Sequence, residues 1–438
     1  MPPARQQTTR TTATTDTETQ PENILEDGDV LSAIEKAPIR LRDRLEHFTW
    51  AWYSIPMTTT SISLMLSSEV QPHTFPGLDA IAITIYIFGI VTFLFVTGCI
   101  TYRFIRWRHT FRASIVHPTE GLYVAAVWLS LSNIIPGIAR WGIPNTGPWL
   151  LVTYNVLFWI YFVCTFISAL FHYTLLYTLP ELRLEDMCPS WDMHIFPFLM
   201  CGSVAATGAP HLSPDQATPM LVAGLTAQGL GFLISLFMNA NYHRRMIQWG
   251  FPSPKTRPSM FIAVGPPAFT ALGVLGMADA FPDSYINYFG TWYFDSAESQ
   301  AITIQVMQVL AVCTAVFVWC LSFWFMCIAV VGMLLSRHES TFGLGWFSFV
   351  FPITGFVIAT LMLGDSFHSS AIQWVGTVLS VVLVMIYLFV MTRVVIGLKN
   401  KEIMWPGKDE DVYQHERKAK MIMKDLGRWR SKDVEERM

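Results

Sequence analysis

The side chains best suited to handle a small polar ligand are hydroxyls and amides set inside apolar runs, each near a proline. Thr58 and Thr59 follow Pro56, Ser132 and Asn133 precede Pro136, Thr207 lies beyond Pro197, Thr270 follows Pro266-Pro267, and Thr354 follows Pro352. Ser61 and Ser203 belong to the same hydroxyl-rich stretches. Such groups hydrogen-bond an ion without reacting with it, and each equally fits a helix-packing contact. Reactive constellations are missing. The eleven histidines show no spacing of three or four that would place two metal ligands on one helix face, there is no phosphate loop, and no nucleophile sits beside a base. No cofactor or metal is implied, and the chain does not read as an enzyme. The net charge of −3, with no basic stripe, gives nucleic acid no footing.

The elements that position these residues are membrane helices. The 438 residues are 52% hydrophobic and only 14% charged, against roughly 25% charged in a soluble domain. A crossing takes about 20 apolar residues, and the runs predict ten spans: 48–66, 78–102, 122–141, 149–178, 191–209, 219–240, 258–278, 301–335, 342–364 and 371–398. Carboxylates are missing from the centres of these runs, where an acidic proton relay would need one. Basic residues mark one side: Arg42 and Arg44 before the first span, Arg103, Arg106, Arg108 and Arg112 after the second, Arg183 after the fourth, Arg244, Arg245, Lys255 and Arg257 after the sixth, Arg337 after the eighth, and Lys399 and Lys401 after the tenth. The other side carries Arg140 and an acidic 279–300 loop with Asp279, Asp283 and Asp295. The bias places both termini in the cytoplasm. Arg140 outside and Arg257 inside are then the candidate attractors of an anion.

The prolines alternate. Odd spans hold Pro56, Pro136, Pro197, Pro266-Pro267 and Pro352, whereas Pro148 and Pro219 fall at the starts of even spans. Interior proline frees a carbonyl, which in a membrane must face protein or a water-filled cavity. The pattern predicts an all-α integral membrane protein of five helical hairpins, with kinked odd helices around a central pore and regular even helices facing lipid. Residues 1–39 form a polar, disordered tail, 40–400 the transmembrane domain, and 401–438 a charged cytoplasmic tail in which Ile422, Leu426 and Trp429 share one helical face. Phe351 sits immediately before the ninth-span proline, where its ring either packs on a neighbouring helix or narrows the pore.

Several stretches resemble the tellurite-resistance/dicarboxylate transporter family, the fungal malic acid branch most of all. They are His47-Phe48-Thr49-Trp50-Ala51-Trp52, Phe158-Trp159-Ile160-Tyr161, Gln228-Gly229-Leu230-Gly231-Phe232, the run from Arg257 to Leu272, Val350-Phe351-Pro352 with Thr354-Gly355-Phe356, and the run from Trp405 to Val412. The resemblance spans residues 47–412. It implies ten helices as five hairpins around a pore, a homotrimer, and occlusion of the pore by a phenylalanine that corresponds to Phe351. It also implies transport of a small anion such as malate or another C4-dicarboxylate across a lipid bilayer, the plasma membrane first. Sulfite or another inorganic anion is the alternative cargo, and a receptor or scaffold without transport is a third reading. Malate-type members tend to carry a glycine-rich run after the Trp-Ala-Trp element, where this chain has Met57-Thr58-Thr59-Thr60.

Overall fold

The computed structural model describes residues 41–405 other than 118, 179–183, 282–296, 338, 340 and 341. The two tails, including residues 422–429 and the motif beyond Trp405, lie outside the described residues, as do Arg183, Asp283 and Asp295. The chain divides into Met1–Leu41, of which Leu41 alone is described, and Arg42–Met438, which holds the helices.

Ten segments order the larger unit: α1 (Ser54–Met65), α2 (Leu78–Arg106), α3 (Ala125–Gly137), α4 (Trp149–Thr178), α5 (Cys201–Gly208), α6 (Pro214–Trp249), α7 (Gly265–Ala280), α8 (Ala297–Leu335), α9 (Phe351–Ser366) and α10 (Ser370–Lys399). No strand occurs among the described residues. Among the described residues eight stretches are long and apolar enough to cross a membrane; α1 and α5 fall short of that length. Burial sorts them into two sets. The apolar windows containing α3, α7 and α9 are 61%, 83% and 78% buried, and those of α2, α4, α6, α8 and α10 only 22–39%. Every residue of α1 except Leu64 is buried. The even helices therefore present apolar side chains outward, Phe95, Val152, Phe237, Phe317 and Leu388 among them, as a surface covered by lipid does. The five odd helices close a ring, α1 on α3, α3 on α5, α5 on α7, α7 on α9 and α9 on α1, each backed by the even helix that follows it.

Each odd helix is entered through a 3-10 leg: Trp50–Tyr53, Glu120–Val124, Pro189–His194, Arg257–Val264 and Leu344–Phe349. The proline pattern predicts kinks in helix interiors, and the structure places most of them elsewhere. Pro56, Pro266 and Pro352 lie in the first turn of α1, α7 and α9, and Pro197 opens the short helix Phe196–Leu199 that precedes α5. There a missing N–H costs nothing, so proline sets the change from leg to helix without breaking the helix. Pro136 alone of the five sits inside its helix, just before a π-turn at Ile138–Gly142. Pro219 also differs from expectation, because α6 begins at Pro214 and encloses it.

Carbonyls at these irregular points need donors, and neighbouring helices supply them. Tyr86 of α2 donates to Ile134 O at 2.7 Å, Tyr154 and Tyr161 of α4 to Val204 O and Pro197 O at 2.7 Å each, and Ser322 of α8 to Val264 O at 2.8 Å. The first leg and the start of α1 are tied from within the ring, by Ser130 to Tyr53 O, 3.2 Å, and by Asn133 to Met57 O, 3.2 Å. The legs also bury carboxylates at the span edges, where the apolar runs gave no sign of them. Glu120 pairs with Arg103 at 2.5 Å, both side chains fully buried, while Arg103 also donates to Phe48 O at 2.9 Å. Asp192 is 2% exposed.

Tyr161→Phe removes one of these donors and leaves Pro197 O unsatisfied. It should cost about 1–3 kcal/mol in thermal unfolding of the detergent-solubilised protein. Tyr177→Phe, at a position 76% exposed, should stay within about 0.5 kcal/mol of the parent.

Candidate functional site

The odd helices widen at their C-terminal ends around a cavity of about 680 Å³. All five contribute: Ser61 from α1, Ser132 and Asn133 from α3, Ser203 and Thr207 from α5, Phe269 and Gly276 from α7, and Thr354 and Ile358 from α9. Most of the lining hydroxyls spend their protons on nearby carbonyls of their own segment. Ser61 donates to Thr58 O at 2.9 Å, Ser132 to Leu129 O at 2.8 Å, Thr207 to Ser203 O at 3.0 Å and Thr354 to Val350 O at 3.0 Å. The Asn133 amide donates to Leu129 O at 3.0 Å as well as to Met57 O. These hydroxyls are left with lone pairs for a ligand, so the wall is richer in acceptors than in donors. Ser203 differs, since its buried hydroxyl has no hydrogen-bond partner.

The rim at this end is acidic on balance. Arg140 lines it, but its Nε pairs with Glu69 at 2.7 Å and its Nη1 donates to Leu64 O at 3.1 Å and Ser67 Oγ at 2.8 Å. Asp279 and Asp365 line the same cavity. Among the described residues three lining carboxylates thus stand against one guanidinium. The cause is folding across sequence: the loop after α1 brings Glu69 onto Arg140, and the ends of α7 and α9 bring their aspartates to the rim.

The floor is aromatic. The rings of Phe196, Phe269 and Phe351 meet with centroids 5.5 Å apart for Phe196–Phe269, 5.6 Å for Phe196–Phe351 and 5.1 Å for Phe269–Phe351. Their exposures are 1%, 3% and 1%. Such offset and tilted contacts are the favourable geometry for phenyl rings. Two glycines make room: a Cβ on Gly265 would come within 2.6 Å of the Phe196 ring, and one on Gly355 within 2.6 Å of the Phe269 ring. Below the rings is a space of about 20 Å³, bordered by Ser54, Met57, Met193, Ile262, Ser348 and Phe351. That volume holds about one water molecule. Cavity, rings and lower space thus follow one another along the axis of the ring of helices.

Of the residues singled out from sequence, Ser132, Asn133, Thr207, Thr354, Pro136 and Arg140 meet at the cavity, and Phe351 with Pro352 borders the lower space. Others face away. Thr58 donates to Ser54 O at 2.8 Å, and Thr59 meets Tyr387 of α10 at 2.8 Å. Thr270 accepts from Gln228 of α6 at 2.9 Å. Arg257, at the opposite end, donates to Pro252 O at 2.9 Å and Gly332 O at 3.0 Å. Pro56, Pro197 and Pro266 line neither space. Phe196 and Phe269 were not anticipated, although the pair Phe196-Pro197 repeats Phe351-Pro352 and marks the same junction in another odd segment. Among the described residues no group of three metal-ligating side chains occurs.

A family model described as voltage-dependent anion channel matches residues 47–395. The malic acid transport protein of Schizosaccharomyces pombe is 32% identical over 382 residues, covering 86% of this chain and 85% of that protein. A second protein of that organism, named as a candidate for malic acid transport, is 31% identical over 377 residues, 85% of each chain. A sulfite efflux pump of Arthroderma otae is 21% identical over 383 residues, 86% of this chain and 99% of the pump.

The Arg140–Glu69 pair yields a two-way prediction. Glu69→Gln frees the guanidinium and should lower the half-saturating concentration of an anion offered on the cavity side by about fivefold, the worth of one unscreened charge at contact distance. Arg140→Gln should raise it. Concentration dependence of uptake into liposomes reads both.

Proposed function

The chain belongs to the voltage-dependent anion channel family, and from that premise we propose that it moves small carboxylate anions, C4-dicarboxylates such as malate first, through a path enclosed by α1, α3, α5, α7 and α9. Members of the family are channels and transporters, not enzymes, and the chain is accordingly a multi-pass membrane protein. The observation that carries the reading is the cluster of Phe196, Phe269 and Phe351 rings between a cavity large enough for a C4 acid and a space that holds about one water. Phe351 is the gate in this reading, and the other two rings complete the seal.

All ten segments span the membrane in this reading, α1 and α5 reaching the required length with their legs, and both termini lie in the cytoplasm. The support is the basic set at the leg end, Arg103, Arg106, Arg108, Arg112, Arg244, Arg245 and Lys255, against the acidic rim at the other. The cavity then opens outside. A homotrimer in the plasma membrane follows from the same family likeness.

The wall and the rim also bear on which form of the acid travels. A dianion meets three carboxylates and a wall rich in acceptors, whereas an acid that has kept one proton brings a donor and half the charge. Carriage of the monoanion moves a proton with it and needs no carboxylate relay within the helices. Sulfite is the second reading, supported by the likeness to the sulfite efflux pump.

Flux into liposomes containing the purified protein separates these cargoes. Saturable uptake of labelled malate, rising as the cavity-side pH falls at constant total malate, is expected; sulfite flux without malate flux transfers the protein to the second reading. Phe351→Ala should raise leak severalfold, with Phe196→Ala acting in the same direction. Unchanged leak in both variants, correctly folded, rejects the gate.

A further inference from the structure

A cluster of polar side chains lies outside the cavity, on the leg that leads to Phe196. Asp192 is 2% exposed. Its Oδ2 accepts a hydrogen bond from Ser235 of α6, whose Oγ also accepts from Asn239 Nδ2 at 3.3 Å, and its Oδ1 has no partner. No cation among the described residues is paired with it. An ionised carboxylate in that position is costly, and taking up a proton relieves the cost.

Other buried groups able to hold a proton lie on the same leg and on α4, which packs against it. His194, two residues on, stacks on His172 of α4 with centroids 4.5 Å apart and planes 15° from parallel, and the Tyr173 ring lies 6.3 Å from that of His194. His172 Nδ1 bonds Ser168 O at 2.7 Å. His172 Nε2, His194 Nδ1 and the Tyr173 hydroxyl have no partner, and all three residues are more than nine-tenths buried. The other elements packed on this leg hold few competing charges. Arg245 of α6 is bonded to Glu185 O and Gly250 O, and Tyr242 beside it is buried. Arg257 of the next leg is bonded to backbone carbonyls, and Glu120 of the previous leg is held by Arg103.

We propose that Asp192 is a proton-binding site that sets the position of the Pro189–His194 leg and hence of Phe196. The link is short. Met193 borders the lower space and Phe196 follows Asp192 by four residues. A charge gained or lost at Asp192 therefore acts on the segment that holds one of the three rings. None of these proton-handling groups lines the cavity, so the site is separate from the one that receives cargo.

Two arms test it, and only the second rests on the transport reading. Infrared titration of the full chain without substrate should show a protonated-carboxyl band that is lost in Asp192→Asn. In Ser235→Ala, which keeps the carboxyl, the midpoint of that band should move by about one pH unit, the worth of one hydrogen bond to a charged group. In liposomes, malate uptake from the cavity side at fixed pH there should vary severalfold with pH on the leg side. Asp192→Asn should abolish that dependence while leaving the dependence on cavity-side pH, which reports the cargo, in place. A band that persists in Asp192→Asn, or leg-side pH profiles that superimpose in parent and variant, overturns the proposal. Absence of malate flux in every protein would count against the cargo reading, and the infrared arm would still decide this one.

Discussion

The organisation of the molecule depends on where the free carbonyls of five interrupted helices find their donors. A run that passes from 3-10 leg to α-helix within a membrane leaves backbone oxygens without their usual partners, and lipid offers none. Here α4 donates to Pro197 O and Val204 O, α8 to Val264 O and α2 to Ile134 O. For the third, fifth and seventh segments these donors come from the surrounding helices, and for the first they come from α3 within the ring, so the irregular segments are held inside and the regular ones outside. The two-layer arrangement is thus a consequence of hydrogen-bond satisfaction as much as of packing.

The same irregularity places the candidate site. The passage from leg to helix brings residues near the junctions together between the odd segments. Phe196 and Phe351 stand at two junctions, and Phe269 one turn into α7 meets them. The glycines at 265 and 355 are required by this close approach, not by unusual backbone angles. Above the rings the wall hydroxyls bond back to their own helices, which keeps short polar side chains from distorting the apolar ring and leaves a surface of acceptors.

Much of this architecture was legible in the sequence. Alternating prolines reported the distinction between odd and even segments, and eight of the predicted spans have helices long and apolar enough to cross a membrane. The faces were harder to read. Helix α1 is buried on all sides, so no apolar stripe tells which hydroxyl points where, and Thr58 and Thr59 turned out to face away from the cavity while Ser61 faces it. Phe196 and Phe269 look like ordinary membrane residues until the ring of helices closes and brings them to Phe351. Arg140 carries a charge that sequence counts as free, because Glu69, which neutralises it, is adjacent only after folding. Asp192 and Glu120 escaped notice for a related reason: each lies at the edge of an apolar run, and burial there comes from the legs.

The central claim is that two half-paths meet at the three phenylalanine rings, and side-specific labelling tests it most directly. In a background lacking the seven native cysteines, Ser203→Cys stands in the cavity above the rings. A membrane-impermeant thiol reagent should modify it from the cavity side only, and Phe351→Ala should open it to reagent added on the leg side. Modification from the leg side in the parent protein, or no change of sidedness when the ring is removed, would contradict the account.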